Sequence, residues 1–195
     1  ALITTVPVTL RFFHGQIGYM KARGFRVRAI SSPDPVLWDF VTGEAIAGDG
    51  VRMSRRVSPL SDLRALAGLC AAIRRHQPSV VHSHTPKAGL LGMIAATVMQ
   101  VPVRVHHIHG LPHVTARGIT RRLLCGAERV ACRLAHEVLC VSPSIRQVAI
   151  DEGVCPANRI RVLCRGSING VDAEGRFNPE RVGLAERRAR REALG

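Results

Sequence analysis

Short apolar runs alternate along the chain with longer segments whose apolar residues recur at helical spacing. Apolar runs that lack polar alternation and end at turn residues are typical of strands buried on both faces of a sheet. The pattern predicts strands at residues 3–6, 26–30, 80–82, 103–108, 138–141 and 161–163, with a weaker one at 51–53.

The segments between these strands have helix-start signals. Ser58, Thr85 and Ser142 each precede a proline, and a capping residue followed by proline is typical of a helix start. We expect helices from Pro59, from Pro86 to about residue 99, over about 119–135, and after Pro143. In the helix at 119–135 the pattern predicts a buried stripe of Leu123, Ala127, Val130 and Leu134.

Alternating strands and helices predict an α/β fold, a Rossmann-like parallel sheet with helices on both faces. Ligands of such sheets bind beyond the carboxyl ends of the strands. Residues 1–172 are predicted to form this domain, whereas 173–195 are rich in arginine, poor in large apolar residues, and predicted to be a basic linker.

Composition narrows the function less than it narrows the fold. The chain has 28 Lys and Arg residues and 14 Asp and Glu residues, which gives a formal charge of +14. This charge favours an anionic partner such as nucleic acid, phosphate or an acidic membrane. Biased codon usage is the alternative explanation of the basic excess. Aromatic residues make up only 4%, and no zinc-finger spacing occurs, so nucleic-acid binding is disfavoured. None of the six cysteines forms a C-x-x-C pair, which indicates a reduced cytoplasmic setting.

Candidate site residues follow the predicted strands. Gly15 and Gln16 come after the first strand, where backbone N–H groups can approach a phosphate. Thr85 is predicted to cap the next helix. Lys87 lies in its first turn and opposes the helix dipole, so either an anionic ligand or solvation must offset it.

Histidines crowd the ends of two predicted strands. His109 and Gly110 follow the strand at 103–108, where a histidine can bind a sugar or phosphate or transfer protons, although a purely structural role is the alternative. His82 and His84 form an H-x-H pair on one face, as in metal hydrolases. The stretch between Arg64 and Ala127 lacks any carboxylate, so we expect no catalytic metal.

Four stretches carry a family resemblance: VHSHTPKAGLLGM at 81–93, VPVRVHHIHGLP at 101–112, RLAHEVLCVSPS at 133–144 and RGSINGVD at 165–172. With them the chain resembles the N-terminal domain of family-four, GT-B-type glycosyltransferases. The similarity runs from Thr4 to Phe177, and its nearest members are bacterial enzymes that build capsule, exopolysaccharide or O-antigen repeats on lipid carriers.

The resemblance implies a function for the domain. It implies the acceptor-binding half of a retaining transferase that needs no metal or other cofactor, with the nucleotide-sugar donor held by a C-terminal domain outside this sequence. The fragment alone is then expected to be inactive. A non-catalytic binding module, or one subunit of a split transferase, is the alternative.

The same resemblance assigns residues and a location. It implies a catalytic role for His109, a donor-facing loop at Gly15 and Gln16, and acceptor contacts by Thr85 and Lys87. The wider predicted site includes His84, Gly110 and Ser142. A lipid-linked saccharide acceptor implies a cytoplasmic protein held peripherally at the inner face of the plasma membrane. The basic excess then suggests that Arg55, Arg56, Arg121 and Arg122 face anionic lipid headgroups or the acceptor pyrophosphate.

Overall fold

A computed structural model describes residues 1–54, 57–164, 166–168, 170, 174–175, 178–181 and 183–194. Seven strands form one sheet in the order β3-β2-β1-β4-β5-β6-β7, and all of its neighbouring pairs are parallel. The strands are β1 (Leu2–Ile3), β2 (Arg28–Ser31), β3 (Ala47–Gly50), β4 (Val80–His84), β5 (Val103–Ile108), β6 (Glu137–Cys140) and β7 (Ile160–Val162).

Helices connect the strands. They are α1 (Gln16–Ala22), α2 (Pro35–Gly43), α3 (Pro59–His76), α4 (Pro86–Val98), α5 (Gly118–Leu134), α6 (Pro143–Asp151) and α7 (Leu184–Leu194). Short 3-10 helices lie at Pro7–Phe13, Pro112–Val114 and Pro179–Arg181. No helix in the described part of the chain is long and apolar enough to span a bilayer.

The core has two parts, one on each face of the sheet. One joins Ile3 and Val81 to buried residues of α3, α4, α5 and α6, and the other joins Leu2 to Phe13 and to residues of α1 and α2. Leu2 and Ile3 are neighbours in a strand and therefore face opposite sides. The predicted Rossmann-like α/β fold with helices on both faces is confirmed.

The weak strand predicted at 51–53 is wrong, since β3 ends at Gly50. Val51 and Met53 are buried as predicted, but they follow the strand. The strand itself has the sequence Ala-Gly-Asp-Gly, and an added Cβ on Gly48 would lie 2.8 Å from Val41. The helix α2 therefore packs directly on the backbone of β3, which leaves no apolar pattern to detect.

The stripe predicted for α5 is wrong in part: Leu134 packs against the core as predicted, but two other members do not. Leu123 and Val130 are 59% and 40% exposed, and the residues that α5 buries are Cys125, Glu128, Ala131 and Cys132. The face of α4 buried nearby is mostly alanine and glycine. Small residues on both helices permit a close approach, which leaves the larger side chains of α5 outside the contact.

Several expectations about the end of the chain stay predictions. The helix α7 occupies 11 residues of the predicted linker. Val171, Asp172 and Ala173 lie outside the described residues, as do Arg165 and Asn169 of the quoted motif. The division at residue 172 is therefore untested. All six cysteines lie in the described residues and are free.

Candidate functional site

The candidate site lies at the carboxyl ends of β4 and β5, two adjacent strands. In their parallel register Ser83 pairs with His106 and His84 pairs with His107. Because side chains alternate along a strand, Ser83 and His106 face one side, and His82, His84 and His107 face the other. His82 is also in register with Leu2, so these three histidines lie on the face of the α1 and α2 core.

A cavity of about 460 Å³ opens at this edge of the sheet. It brings together three of the predicted site residues, Thr85, His109 and Gly110, and it is closed on one side by the 110–112 segment. Its position agrees with the rule that parallel sheets bind ligands beyond their carboxyl ends. His109 is half-buried there and hydrogen-bonded to His84, with 2.9 Å between Nε2 of His109 and Nδ1 of His84.

The histidines of this face contact one another in a column. Ring centroids of His82 and His84 are 4.0 Å apart, and those of His107 and His109 are 4.7 Å apart. The ring of Phe13 meets His84 edge-on at 4.5 Å. Phe13 lies in the 3-10 helix that follows β1, so the first connection of the fold covers the histidine column.

Burial lowers the pKa of every histidine in the column. The pKa falls to about 3 for His82 and His107 and to about 4 for His109, and that of His84 lies well below its usual value. Desolvation is the largest cause, and repulsion from neighbouring histidines adds to it. The four rings are therefore neutral at neutral pH, and each offers one donor and one acceptor nitrogen.

The opposite face of the same strands carries a buried hydrogen-bonded chain that the sequence did not reveal. Nδ1 of His106 lies 3.1 Å from Oγ of Ser83, and its Nε2 lies 2.8 Å from Oε1 of Glu128. All three side chains are buried. Glu128 is the first carboxylate after the acid-free stretch between Arg64 and Ala127. The apolar spacing used to predict the helix did not indicate that this carboxylate is buried against His106.

The predicted capping role of Thr85 is wrong. Its side chain makes no cap hydrogen bond to α4, and its φ of 70° lies in the left-handed region that is costly for a β-branched residue. Oγ1 of Thr5 instead accepts the N–H of Ala88, at 3.1 Å, and also lies 2.7 Å from Oγ1 of Thr85. Thr5, which follows β1, therefore holds both the helix start and the strained residue that lines the cavity.

The partner that offsets Lys87 is a carboxylate of the protein. Its Nζ lies 2.7 Å from Oδ1 of Asp62 in α3, and both side chains are largely buried. This ion pair offsets the unfavourable position of a cation in the first turn of α4. The predicted acceptor contact of Lys87 lies outside the residues that line the cavity and stays a prediction.

Gly15 and Gln16 also lie outside the cavity lining. Gly15 has a φ of 81°, as its position before α1 requires, and an added Cβ would meet no atom within 4 Å. The amide of Gln16 donates a hydrogen bond to the carbonyl oxygen of Ile168. The loop predicted to face the donor is thus joined to the last described segment before the predicted linker.

Ser142 caps α6 as predicted. Its Oγ accepts the N–H of Ile145 at 3.2 Å and lies 2.9 Å from Oγ of Ser144. The cap accounts for the serine at this strand end, and a ligand contact there stays a prediction.

A larger cavity of about 630 Å³ lies along the sheet edge between β3 and α3. It is lined in part by Arg52, Arg64 and Arg75, with Asp49 among them. None of the predicted site residues lines it. The smaller cavity is the better candidate because it contains the histidine end of β5.

Sequence relatives support the resemblance of the motifs. Residues 11–166 match the family described as glycosyl transferase 4-like domain. The chain is 30% identical over 172 residues to the capsular polysaccharide biosynthesis glycosyltransferase CapM of Staphylococcus aureus, and 27% identical over 156 residues to the UDP-Gal:alpha-D-GlcNAc-diphosphoundecaprenol alpha-1,3-galactosyltransferase of Escherichia coli. The matches cover 88% and 80% of this chain but only 44% and 39% of those proteins.

A solved structure supports the fold. HepE of Anabaena in complex with UDP superposes with a TM-score of 0.65 at 18% identity, over 89% of this chain and 44% of that one. At this identity the likeness establishes the fold alone. The match of residues 11–166, 156 of the 195 residues, decides the family. The chain belongs to the glycosyl transferase 4-like domain family, as its motifs predicted.

Proposed function

We propose that this chain is the acceptor-binding half of a retaining glycosyltransferase that moves a sugar from a nucleotide-sugar to a lipid-linked saccharide. The observation that carries the proposal is the cavity where Thr85, His109 and Gly110 meet at the carboxyl ends of β4 and β5. Two relatives support the substrate class, because one is named for capsular polysaccharide biosynthesis and the other for a diphosphoundecaprenol-linked acceptor.

His109 is the proposed catalytic residue. Its Nε2 is engaged by His84, which leaves Nδ1 for the substrate. With a pKa of about 4 the ring is neutral at neutral pH, so it acts through a directed hydrogen bond and not as a cation. A preorganised N–H donor stabilises negative charge that develops on an oxygen atom in the transition state.

The first test is His109→Ala in the complete transferase that contains this domain. We expect turnover to fall by about 10²-fold or more, the range for a lost acid–base or hydrogen-bonding group. The matched control is His136→Ala, because His136 is exposed and lies at the opposite end of the sheet, before β6. An unchanged rate in His109→Ala would remove His109 from the reaction.

Retention and metal independence are part of the same proposal and have their own readouts. The anomeric configuration of the product, read by proton NMR, is expected to match that of the donor. Turnover is expected to persist after chelation. An inverted product would contradict the retaining mechanism while leaving the cavity as the acceptor site.

Peripheral binding to an anionic membrane completes the proposal. Val114, Ile119 and Leu123 are 53%, 70% and 59% exposed around the start of α5, beside Arg117 and Arg122. Exposed apolar residues flanked by arginine suit a membrane interface. Arg121 pairs instead with Glu152 at 2.9 Å, and Arg55 and Arg56 lie outside the described residues. A cytoplasmic protein at the inner face of the plasma membrane is the location that this surface supports.

Vesicle co-sedimentation tests the membrane surface. Binding to vesicles with anionic lipid is expected to fall in the double variant Ile119→Ser, Leu123→Ser. It is expected to persist in Val98→Ser, which changes an equally exposed residue at the far end of α4. Equal binding to neutral and anionic vesicles would contradict the role of the arginines.

A further inference from the structure

The histidine column contains an arrangement that the proposed transfer reaction does not use. Ligand atoms of His82, His84 and His107 all lie within 4.8 Å of one another. Nε2 of His82 and Nε2 of His84 are buried, and neither has a hydrogen-bond partner in the described part of the chain. Buried polar atoms nearly always have a partner, so two unsatisfied nitrogens in one cluster indicate a ligand.

The chemistry of the cluster fits a metal ion. Metal ions bind the unprotonated nitrogen of imidazole, and His82 and His84 each bury a ring nitrogen that no group of the described residues engages. Three histidines with an open fourth position are an established set for Zn²⁺. Tetrahedral bonds of about 2.0–2.1 Å place ligand nitrogens about 3.4 Å apart, so the rings must move closer than the 4.8 Å within which their ligand atoms now lie.

His84 also has the outer partner that a metal ligand needs. Metal-bound histidines donate their second ring N–H to an acceptor, which fixes the ring and its tautomer. Nδ1 of His84 lies 2.9 Å from Nε2 of His109. When Nε2 of His84 binds a metal, Nδ1 of the same ring carries the hydrogen. It donates a hydrogen bond to Nε2 of His109, whose neutral ring accepts it.

The two other clusters of potential ligands in the described residues are less suited to a cation. In the cluster of His106, Glu128 and Cys132, both nitrogens of His106 are already hydrogen-bonded. In the cluster of His113, Cys125 and Glu152, the nitrogens of His113 are likewise buried without a hydrogen-bond partner in the described residues. Its carboxylate, however, lies 2.9 Å from the Arg121 guanidinium, a cation that repels a metal ion. The histidine column has neither obstacle.

We propose that His82, His84 and His107 form a binding site for a divalent transition metal of the Zn²⁺ type, with His109 as the outer partner of His84. The fourth position is open to water or to a small ligand. The site goes beyond the proposed transferase reaction, which is expected to need no metal, so its test does not depend on activity.

Calorimetric titration of the chelator-treated protein with Zn²⁺ tests the site directly. We expect one ion per chain, with affinity falling at least about 100-fold in His82→Ala and in His107→Ala, and about 10-fold or more in His109→Ala. His136→Ala and His113→Ala are controls that keep the column and are expected to bind as the unaltered protein does. Unfolding curves without metal check that each variant folds.

X-ray absorption of the Zn²⁺-loaded, unaltered protein gives a second answer that needs no variant. Nitrogen ligands at about 2.0–2.1 Å without sulfur are expected, whereas a sulfur ligand at about 2.3 Å would place the ion in a cysteine-containing cluster. The proposal is overturned by that sulfur, by the absence of Zn²⁺ binding, or by unchanged binding in folded His82→Ala and His107→Ala.

Discussion

The two faces of β4 and β5 carry histidines in opposite states. On one face, both ring nitrogens of His106 are satisfied, by Ser83 and by Glu128. On the other, His82 and His84 each bury a ring nitrogen without a partner. His106 and His107 are neighbours in β5, as Ser83 and His84 are in β4, so the alternation of side chains along a strand assigns them to opposite faces.

The contrast separates structural histidines from ligand-binding ones by a criterion that residue type does not supply. A buried histidine with hydrogen-bond partners at both ring nitrogens stabilises the fold. Removing it leaves those partners buried without a hydrogen bond. An unsatisfied one costs stability unless something binds to it. Glu128→Ala, Gly89→Ala and His82→Leu test this distinction, and Ser142→Ala extends it to a satisfied hydroxyl group. The four are ordered from the largest expected effect to the smallest.

Glu128→Ala is expected to have the largest effect. It removes the partner of Nε2 of His106 and leaves that nitrogen buried, because both residues are almost fully buried. Leaving a buried polar atom without its partner in this way costs up to about 3 kcal/mol. Denaturant unfolding of the chain measures the loss, and Glu128→Gln is the control because its amide still reaches His106. A loss below 1 kcal/mol in Glu128→Ala would make the buried chain incidental.

Gly89→Ala tests the packing of the same His106. A Cβ on Gly89 would lie 2.4 Å from Cε1 of His106, whose ring is held at both nitrogens and has little freedom to move. Overpacking of this kind costs about 1–3 kcal/mol, which outweighs the better helix propensity of alanine.

Gly126→Ala in α5 is the matched control for Gly89→Ala. An added Cβ there meets no atom within 4 Å, so the helix is expected to gain about 0.5–1 kcal/mol. A lower unfolding temperature in Gly89→Ala together with a higher one in Gly126→Ala would support the close contact between Gly89 and His106. Stabilisation in both would show that His106 can shift.

Ser142→Ala tests the serine that follows β6 and caps α6 with its side chain. Loss of the hydrogen bond to the N–H of Ile145 is expected to cost about 1 kcal/mol. Ser58→Ala is the comparison, because Ser58 precedes α3 without making a side-chain cap bond, and its loss is expected to be smaller. Equal losses in urea unfolding would mean that the geometry of the cap does not determine its strength.

His82→Leu, measured in chelator, is expected to change stability least, within about 1 kcal/mol and toward greater stability. Leucine removes a buried nitrogen that has no partner and keeps the apolar contacts. This is opposite in sign to the Glu128→Ala result, which concerns the other face of the same sheet. A loss of several kcal/mol would show that His82 has a structural partner in solution.

The fold was largely predictable because its buried strands are apolar. The strand at Val103–Ile108 has the bounds that its pattern predicts. The strand β3 escaped detection because it is made of small residues, and the buried face of α5 was misassigned because Cys125 and Ala131 pack where Leu123 was expected. A pattern of large apolar residues reveals a buried face that is filled by bulky side chains. It does not reveal a face that is buried because small residues let two backbones pack closely.

The candidate site was predictable in position but not in its hydrogen bonds. His109 and Gly110 were placed at the cavity by the strand-end rule alone. Thr5 and Asp62 were missed because their partners, Thr85 and Lys87, lie 80 and 25 residues away along the chain. Such pairings follow from how distant elements meet, which local spacing does not encode.

The strand order has a consequence for how this domain acquires its structure during synthesis. The strand β1 lies between β2 and β4, and Leu2 is in register with His82. At about 5–20 residues per second, the ribosome needs roughly 4–16 s to add the 80 residues that separate these partners. Throughout that interval one edge of the first strand lacks its neighbour, so its backbone groups on that side stay unpaired until β4 has been synthesised.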